Sequence, residues 1–159
     1  MSGDLSDLLL PDLVVVGVPA TTRKALFQHL GALAGEAMAL DPRATSEALA
    51  AREKRGSTGF GGGVAIPHAR IPGLERIVAI VARLVQPIDF DAVDDARVDL
   101  VIAMLSPERA GADHLKALAR VARLLRDRAL VAKLRGAGSR DAMWALLTAD
   151  EEGHSRDAA

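Results

Sequence analysis

Cysteine is absent from this chain, and aromatic residues are scarce. The 159 residues include no cysteine, no tyrosine, one tryptophan and three phenylalanines. Without thiols there can be no disulfide, thiolate nucleophile, zinc finger or iron–sulfur cluster. With so few aromatic rings, we expect neither a base-stacking platform nor an aromatic sugar-binding wall. Nucleophilic chemistry must therefore come from histidine, serine, threonine, lysine or a carboxylate.

The chain also lacks an excess of charge of one sign and a long apolar run. Its 20 Lys and Arg residues nearly balance its 21 Asp and Glu residues. That balance argues against a surface devoted to nucleic acid, and we expect no nucleic-acid partner. No stretch reaches about 18 consecutive apolar residues, and Pro11 and Asp12 break the run nearest the N-terminus. We expect a cytoplasmic protein with no stable membrane insertion.

What the chain does contain is enough apolar sequence for a core, arranged in segments of different period. Half of the residues are hydrophobic, and the length suits one domain, predicted over residues 1–148, with a polar tail over 149–159. Continuous apolar runs predict strands covered on both faces. Strands are predicted over 13–18, 64–66, 77–85 and 98–105, and helices over 22–41, 45–55, 113–126, 128–134 and 139–147. This alternation predicts an α/β fold.

The glycine-rich segment 56–63 and the histidine that follows it form the strongest candidate site. Glycine backbone can approach a phosphate closely, and Ser57 and Thr58 add hydroxyl donors. Arg52 and Arg55 flank the segment with guanidinium groups suited to phosphate. His68 is predicted at the carboxyl end of the strand over 64–66, where ligand sites of α/β sheets gather. The alternative is a loop histidine with glycines that serve only turns.

The other three histidines give weaker signals. His114 opens the helix over 113–126, where residue type alone favours an exposed side chain; hydrogen bonding to a phosphate or to the other imidazole is the functional alternative. His29 is expected to be structural, and His154 to be solvated in the tail. His68 and His114 would supply only half of a zinc site, and neither an HExxH motif nor acids at ligand spacing are present. We expect no metal and no cofactor.

The helix over 113–126 is the most clearly amphipathic segment. Its core-facing stripe is predicted to consist of Leu115, Leu118, Ala122 and Leu125. A run of basic residues extends from this helix into the next; its members are Arg120, Arg123, Arg126, Arg128, Lys133 and Arg135. We interpret this run as a solvated helix face, with a docking patch for an acidic partner as the alternative.

Two segments at fixed spacing carry a specific resemblance. They are Arg52–Gly59 (REKRGSTG) and Gly63–His68 (GVAIPH), and the likeness continues through 86–91 (QPIDFD), 98–101 (VDLV) and 114–115. Together they resemble the IIA domains of the bacterial phosphoenolpyruvate:sugar phosphotransferase system, of the fructose/mannitol type and nearest to the nitrogen-regulatory members. The likeness covers roughly residues 5–147. It departs at Ala69-Arg70, where a Gly-Lys pair is common, and Arg70 would bear on carrier preference.

The resemblance implies a fold and a set of roles. The fold is a mixed β-sheet with helices on both faces. His68 is implied to accept a phosphoryl group, through Nε2, from a small histidine-phosphorylated carrier of the HPr kind. His114 is implied to support it by a hydrogen bond to the phosphate, and Arg52 to stabilise the phosphate charge. Ser57, Thr58 and Gly59 are further implied phosphate contacts.

Three readings of the function follow. The first is a phosphocarrier that signals through its phosphorylation state, acting as a phosphotransferase component rather than as an ordinary turnover enzyme. The second is a sugar-transport component that passes phosphate to a IIB domain of a fructose/mannitol-type permease. The third, of a different class, is a protein-binding module that docks on regulatory targets such as kinases or potassium transporters. Phosphate charge added to such a docking surface would switch it, so the first and third readings are compatible.

Overall fold

A computed structural model describes residues 5–149 of the chain. Within this range the chain forms six strands and five helices. The strands are β1 (Leu9–Val18), β2 (Gly59–Gly61), β3 (Val64–Ala65), β4 (His68–Ile71), β5 (Val78–Ile88) and β6 (Val98–Pro107). The helices are α1 (Arg23–Met38), α2 (Pro42–Lys54), α3 (Ala112–Leu125), α4 (Arg128–Gly136) and α5 (Arg140–Thr148). The predicted tail and His154 lie outside the described residues, apart from Ala149.

The six strands form one mixed sheet. Its order is β1-β5-β6-β3-β2, with β4 also paired to β6. β1 runs parallel to β5, β5 antiparallel to β6, and β3 and β4 both run parallel to β6. The long runs predicted for β5 and β6 are confirmed as central strands. β1 begins earlier than predicted and passes through Pro11, because an edge strand tolerates a residue without a backbone donor.

Helices cover both faces of the sheet, as predicted. Along β5, Ile80 and Ala82 pack into a core shared with α1 and α2, whereas Ala79 and Val81 pack into a second core shared with α3, α4 and α5. This alternation follows from the two-residue period of a strand, which sends successive side chains to opposite faces. The same period places Ala69 and Ile71 of β4 in the α1/α2 core. His68 and Arg70 therefore face the side on which α3 lies.

The start of α2 differs from the prediction by three residues. Pro42 occupies the first turn, and the Asp41 carboxylate caps the helix by accepting from the backbone N–H groups of Arg43 and Ala44. Proline suits this position because its missing donor would have no helical partner there. The Asp41-Pro42 pair thus begins the second helix rather than merely ending the first. The connection between α1 and α2 is short, and the two helices pack against each other. α2 also contacts β4.

The glycine-rich segment is a tight hairpin rather than an open loop. β2 and β3 pair antiparallel around a turn in which Gly62 and Gly63 adopt φ angles of 68° and 79°. Such positive φ values are easy only for residues without a Cβ. The hairpin continues directly into the segment that carries His68.

Candidate functional site

His68 lies where the chain changes from one short strand to the next. β3 ends at Ala65, one residue before the predicted end, and His68 follows it closely as predicted; the backbone then resumes as β4 at His68 itself, a strand that was not predicted. Pro67 has no N–H to donate, but its carbonyl accepts from the backbone N–H of Met104 at 2.8 Å. The break at Ile66-Pro67 therefore keeps the chain on β6 while it turns the half-exposed His68 ring toward α3.

The last turn of α2 places the guanidinium group of Arg52 next to His68. Arg52 donates from Nε to His68 Nε2 at 3.2 Å and from Nη1 to the Gly56 carbonyl at 2.9 Å. The second bond fixes the arginine over the start of the glycine-rich segment. The structure thus brings together the two residues that were predicted to receive and to stabilise a phosphoryl group.

The contacts of the His68 ring define which nitrogen carries the proton. Arginine has no acceptor atom and stays charged in proteins, so His68 Nε2 must accept with its lone pair. The proton of the neutral ring then resides on Nδ1, which lies 2.9 Å from the Ile66 carbonyl and donates to it. Nε2 is therefore the nucleophilic nitrogen of the ring.

The electrostatic setting of His68 favours this neutral form. Burial lowers the pKa of His68 below its ordinary value of 6.5, and the charge of Arg52 lowers it further. The hydrogen bond to Ile66 and the charge of Glu53 act in the opposite direction, but the balance is a lowered pKa. A neutral imidazole with an available lone pair is the form that attacks an electrophile.

Glu53 is a site residue that the sequence reasoning missed. Its carboxylate is buried and accepts from both the backbone N–H and the hydroxyl of Thr58, each at 2.7 Å. The carbonyl of Thr58 accepts from the N–H of Ile66, whose own carbonyl binds His68 Nδ1. Glu53 therefore anchors the backbone that orients the His68 ring. A glutamate beside a basic helix end carries no pattern that distinguishes it from a solvated one.

His114 lies beside His68, and it is buried. Its exposed fraction is 6%, so the exposure favoured by residue type alone is wrong. The two ring centroids are 5.5 Å apart, with the ring planes inclined by 56°. Nδ1 of His114 is 2.7 Å from the hydroxyl oxygen of Ser106, at the end of β6. Burial lowers the pKa of His114, with smaller contributions from the charges of Arg70 and His68.

The inward position of His114 also corrects the predicted core stripe of α3. The residues that are buried are His114, Ala117, Val121, Leu124 and Leu125. Leu115 is 65% exposed, and Leu118 is only partly buried. The prediction counted only apolar residues as core-facing, whereas this helix is rotated so that a histidine reaches the site.

The three predicted phosphate contacts are engaged by protein groups in this structure. The Ser57 hydroxyl donates to the Phe90 carbonyl and accepts from the Gly59 N–H, and both donors of Thr58 bind Glu53. These residues build the frame beneath His68. Their direct contact with a phosphate stays a prediction, and it would require these bonds to exchange.

The remaining predicted charges lie at the rim of the site or away from it. Arg55 is exposed at the end of α2, and Arg70 is exposed on β4. The basic run on α3 and α4 is largely solvated, with Arg120 paired to Asp7 and Arg135 to Asp99. His29 is half-buried within α1. Among residues 5–149 no cluster of three or more metal-ligating side chains is formed.

Fold and site together define a mixed α/β protein in which one histidine presents Nε2 to an arginine and lies beside a second histidine. Residues 7–150 match the family described as "Phosphoenolpyruvate-dependent sugar phosphotransferase system, EIIA 2". The chain belongs to this family. No helix within the described range has the length and apolarity needed to cross a bilayer.

Three relatives give the level of similarity. A nitrogen regulatory protein of Bradyrhizobium diazoefficiens is 46% identical over 143 residues, which cover 90% of this chain and 94% of the relative. The crystal structure of the nitrogen regulatory protein IIA-Ntr from Neisseria meningitidis superposes with a TM-score of 0.85 at 33% identity, covering 91% of this chain and 99% of the other. Enzyme IIA mannitol of Escherichia coli, in complex with phosphorylated enzyme IIB mannitol, shares the fold at a TM-score of 0.73 and 18% identity, covering 88% and 98%. The resemblance to nitrogen-regulatory IIA proteins is confirmed.

Proposed function

We propose that this nitrogen-regulatory IIA phosphocarrier takes its phosphoryl group on Nε2 of His68, from a histidine-phosphorylated carrier of the HPr kind. The observation that carries the proposal is the pair of contacts on one ring: Arg52 donates to Nε2, and Nδ1 donates to the Ile66 carbonyl. Together these contacts leave Nε2 unprotonated, with its lone pair directed at the guanidinium group of Arg52.

The transfer balances as an in-line exchange between two imidazoles. The lone pair of His68 Nε2 forms a bond to phosphorus while the bond from phosphorus to the donor's imidazole nitrogen breaks. That electron pair returns to the donor ring. Such reactions need alignment and charge neutralisation more than covalent assistance from the protein.

Arg52 has two successive tasks in this mechanism. It first holds the His68 ring by its hydrogen bond to Nε2. As the phosphoryl group arrives, the guanidinium moves from the nitrogen to the phosphoryl oxygens, for which its planar set of donors is suited. The Ile66 carbonyl keeps its bond to Nδ1–H throughout and stabilises the positive charge that develops on the ring.

Phosphorylation would change the charge of a surface that other proteins can read. The phosphoryl group would add roughly two negative charges to the half-exposed start of β4, the strand that carries the exposed Arg70. The exposed Leu115 follows His114, the ring that neighbours His68. A surface that mixes an apolar side chain with a cation suits a protein partner, and a new anion there alters which partner fits. Regulatory targets such as kinases or potassium transporters would be distinguished in this way.

The second candidate is a transport component that passes phosphate to a IIB domain. The observation that favours it is the shared fold of the mannitol enzyme, which was solved in complex with its phosphorylated IIB partner. We favour the regulatory function because the nitrogen regulatory relatives are more similar to this chain. Phosphoryl transfer from the labelled chain to a purified IIB domain would support the transport function. A cytoplasmic location is part of both proposals.

The decisive experiment is phosphoryl transfer in a purified system. Incubated with phosphoenolpyruvate, enzyme I and an HPr-like carrier, the native chain is expected to gain one acid-labile phosphate. His68→Ala is expected to gain none, and His29→Ala, which alters a histidine on α1, is expected to be labelled like the native chain. Labelling of His68→Ala, or no label on the native chain, would contradict the proposal.

A further inference from the structure

The hydroxyl of Ser106 is fully buried, and it contacts the site through His114 alone. Ser106 has an exposed fraction of 0% and lies near the end of β6, opposite Arg70 of β4. Its oxygen is 2.7 Å from His114 Nδ1. No other hydrogen-bond partner of this hydroxyl exists among residues 5–149, and no buried side-chain polar atom there is left unpaired.

The direction of this hydrogen bond follows from the inventory of donors. A serine hydroxyl carries one hydrogen, and a hydroxyl buried without an acceptor is costly. If His114 Nδ1 carried the ring proton, it would donate to Ser106, and the serine hydrogen would have no acceptor. If Ser106 donates, Nδ1 accepts and both groups are satisfied. The neutral ring of His114 then carries its proton on Nε2.

We propose that Ser106 is a positioning residue that holds neutral His114 in its Nε2–H tautomer, so that His114 donates a hydrogen bond to the phosphoryl group on His68. This inference rests on the proposed function, because it assigns the donor that the phosphorylated site requires. It adds a residue that acts through another, since Ser106 is fully buried and its hydroxyl is hydrogen-bonded to His114.

The two rings are then held in opposite tautomers. In His68, Arg52 can only donate, so Nε2 carries no proton and the ring proton lies on Nδ1. In His114, the buried Ser106 hydroxyl donates to Nδ1, so Nδ1 carries no proton and the ring proton lies on Nε2. One ring thereby presents a lone pair and its neighbour presents an N–H. These are the complementary groups needed to accept a phosphoryl group and then to bind its oxygens.

The tautomer is measured directly by ¹⁵N NMR of histidine-labelled, unphosphorylated protein, at a pH where both rings are neutral. In the native chain, His114 is expected to show a protonated, pyrrole-type Nε2 and a pyridine-type Nδ1. In Ser106→Ala the two tautomers are expected to mix, and the rate of phosphoryl acceptance by His68 is expected to fall about 5- to 10-fold. Ser106→Thr, which keeps the hydroxyl, is expected to restore both; Ser46→Ala on α2 is the matched control.

The outcomes separate this inference from the function on which it rests. A native His114 protonated on Nδ1 would overturn the inference, as would a Ser106→Ala variant that keeps both the native tautomer and the native rate. A mixed tautomer with an unchanged rate would also overturn the positioning role. Failure of the native chain to accept phosphate would instead contradict the proposed function while the tautomer measurement stood. If Ser106→Thr does not fold, the native spectrum and Ser106→Ala still decide.

Discussion

The two histidines of the site are neighbours in space, but they are held in contrasting ways. His68 is half-exposed, and its Nε2 accepts from the side chain of Arg52, a contact that an incoming phosphoryl group can replace. His114 is buried, and its bound nitrogen faces a serine hydroxyl inside the protein. The exchangeable contact belongs to the ring that we propose to react, and the fixed contact to the ring that we propose to support it. In this proposal the two histidines differ in role because a partner can be displaced from one of them and not from the other.

The largest effect on the rate of phosphoryl transfer is expected from removing Arg52, the partner that can be displaced from His68. Arg52→Ala should slow phosphoryl transfer to His68 about 100-fold, because the ring loses its orienting donor and the phosphoryl oxygens lose their cation. Arg52→Lys keeps the charge but not the planar fork, so an intermediate rate is expected. Single-turnover transfer from the phosphorylated carrier measures both rates.

The matched control for these variants is Arg43→Ala on the same helix. Arg43 makes an exposed ion pair with Glu47 and lies at the opposite end of α2 from the site. It should transfer phosphate at the native rate. An Arg52→Ala rate within about twofold of native would show that Arg52 has no part in transfer.

A smaller effect is expected from removing the supporting ring. His114→Ala should still be labelled on His68 but should transfer about 10- to 30-fold more slowly, since one hydrogen bond to a charged group is lost and the nucleophile remains. The time course of labelling by the phosphorylated carrier gives the rate. Complete loss of labelling in a folded His114→Ala would show that His114 is as essential as His68. It would contradict the assignment of His68 as acceptor and His114 as support.

The smallest expected effect is on stability, and it is shared by both rings. The pKa of each is lowered from 6.5 in the folded protein, so below that pH the unfolded chain takes up protons that the folded chain does not. The free energy of unfolding should therefore fall as the pH is lowered through 6.5 toward the folded pKa values, and this contribution should level off below them. The double variant His68→Gln/His114→Gln should show a shallower fall in urea titrations between about pH 7.5 and 5. An equal slope would contradict the lowered pKa values.

Much of the architecture was predictable because apolar period and length report burial directly. The continuous runs of β5 and β6 and the helix α5 are where the sequence placed them, to within a few residues at their ends. The resemblance also placed Arg52 and His68 in one site, and the structure brings these two side chains into contact. β4 was missed, because four residues that include a histidine and an arginine carry no strand pattern of their own. Pairing with β6 makes them a strand.

The supporting layer of the site was not predictable in the same way. Ser106 ends an apolar run and Glu53 sits among basic residues, so neither differs in sequence from a solvated polar side chain. Their burial depends on tertiary packing: the rotation of α3 brings His114 over β6, and the hairpin brings Thr58 under α2. Contacts between elements distant in sequence decide both roles.

The most direct test of the central claim is the atom that carries the phosphate. The native chain, labelled with ¹⁵N at histidine and phosphorylated by its carrier, can be examined by ³¹P and ¹⁵N NMR. We predict phosphorus bonded to Nε2 of His68, with the ring proton still on Nδ1. A phosphoryl group on Nδ1 of His68, or on any other residue, would contradict the account.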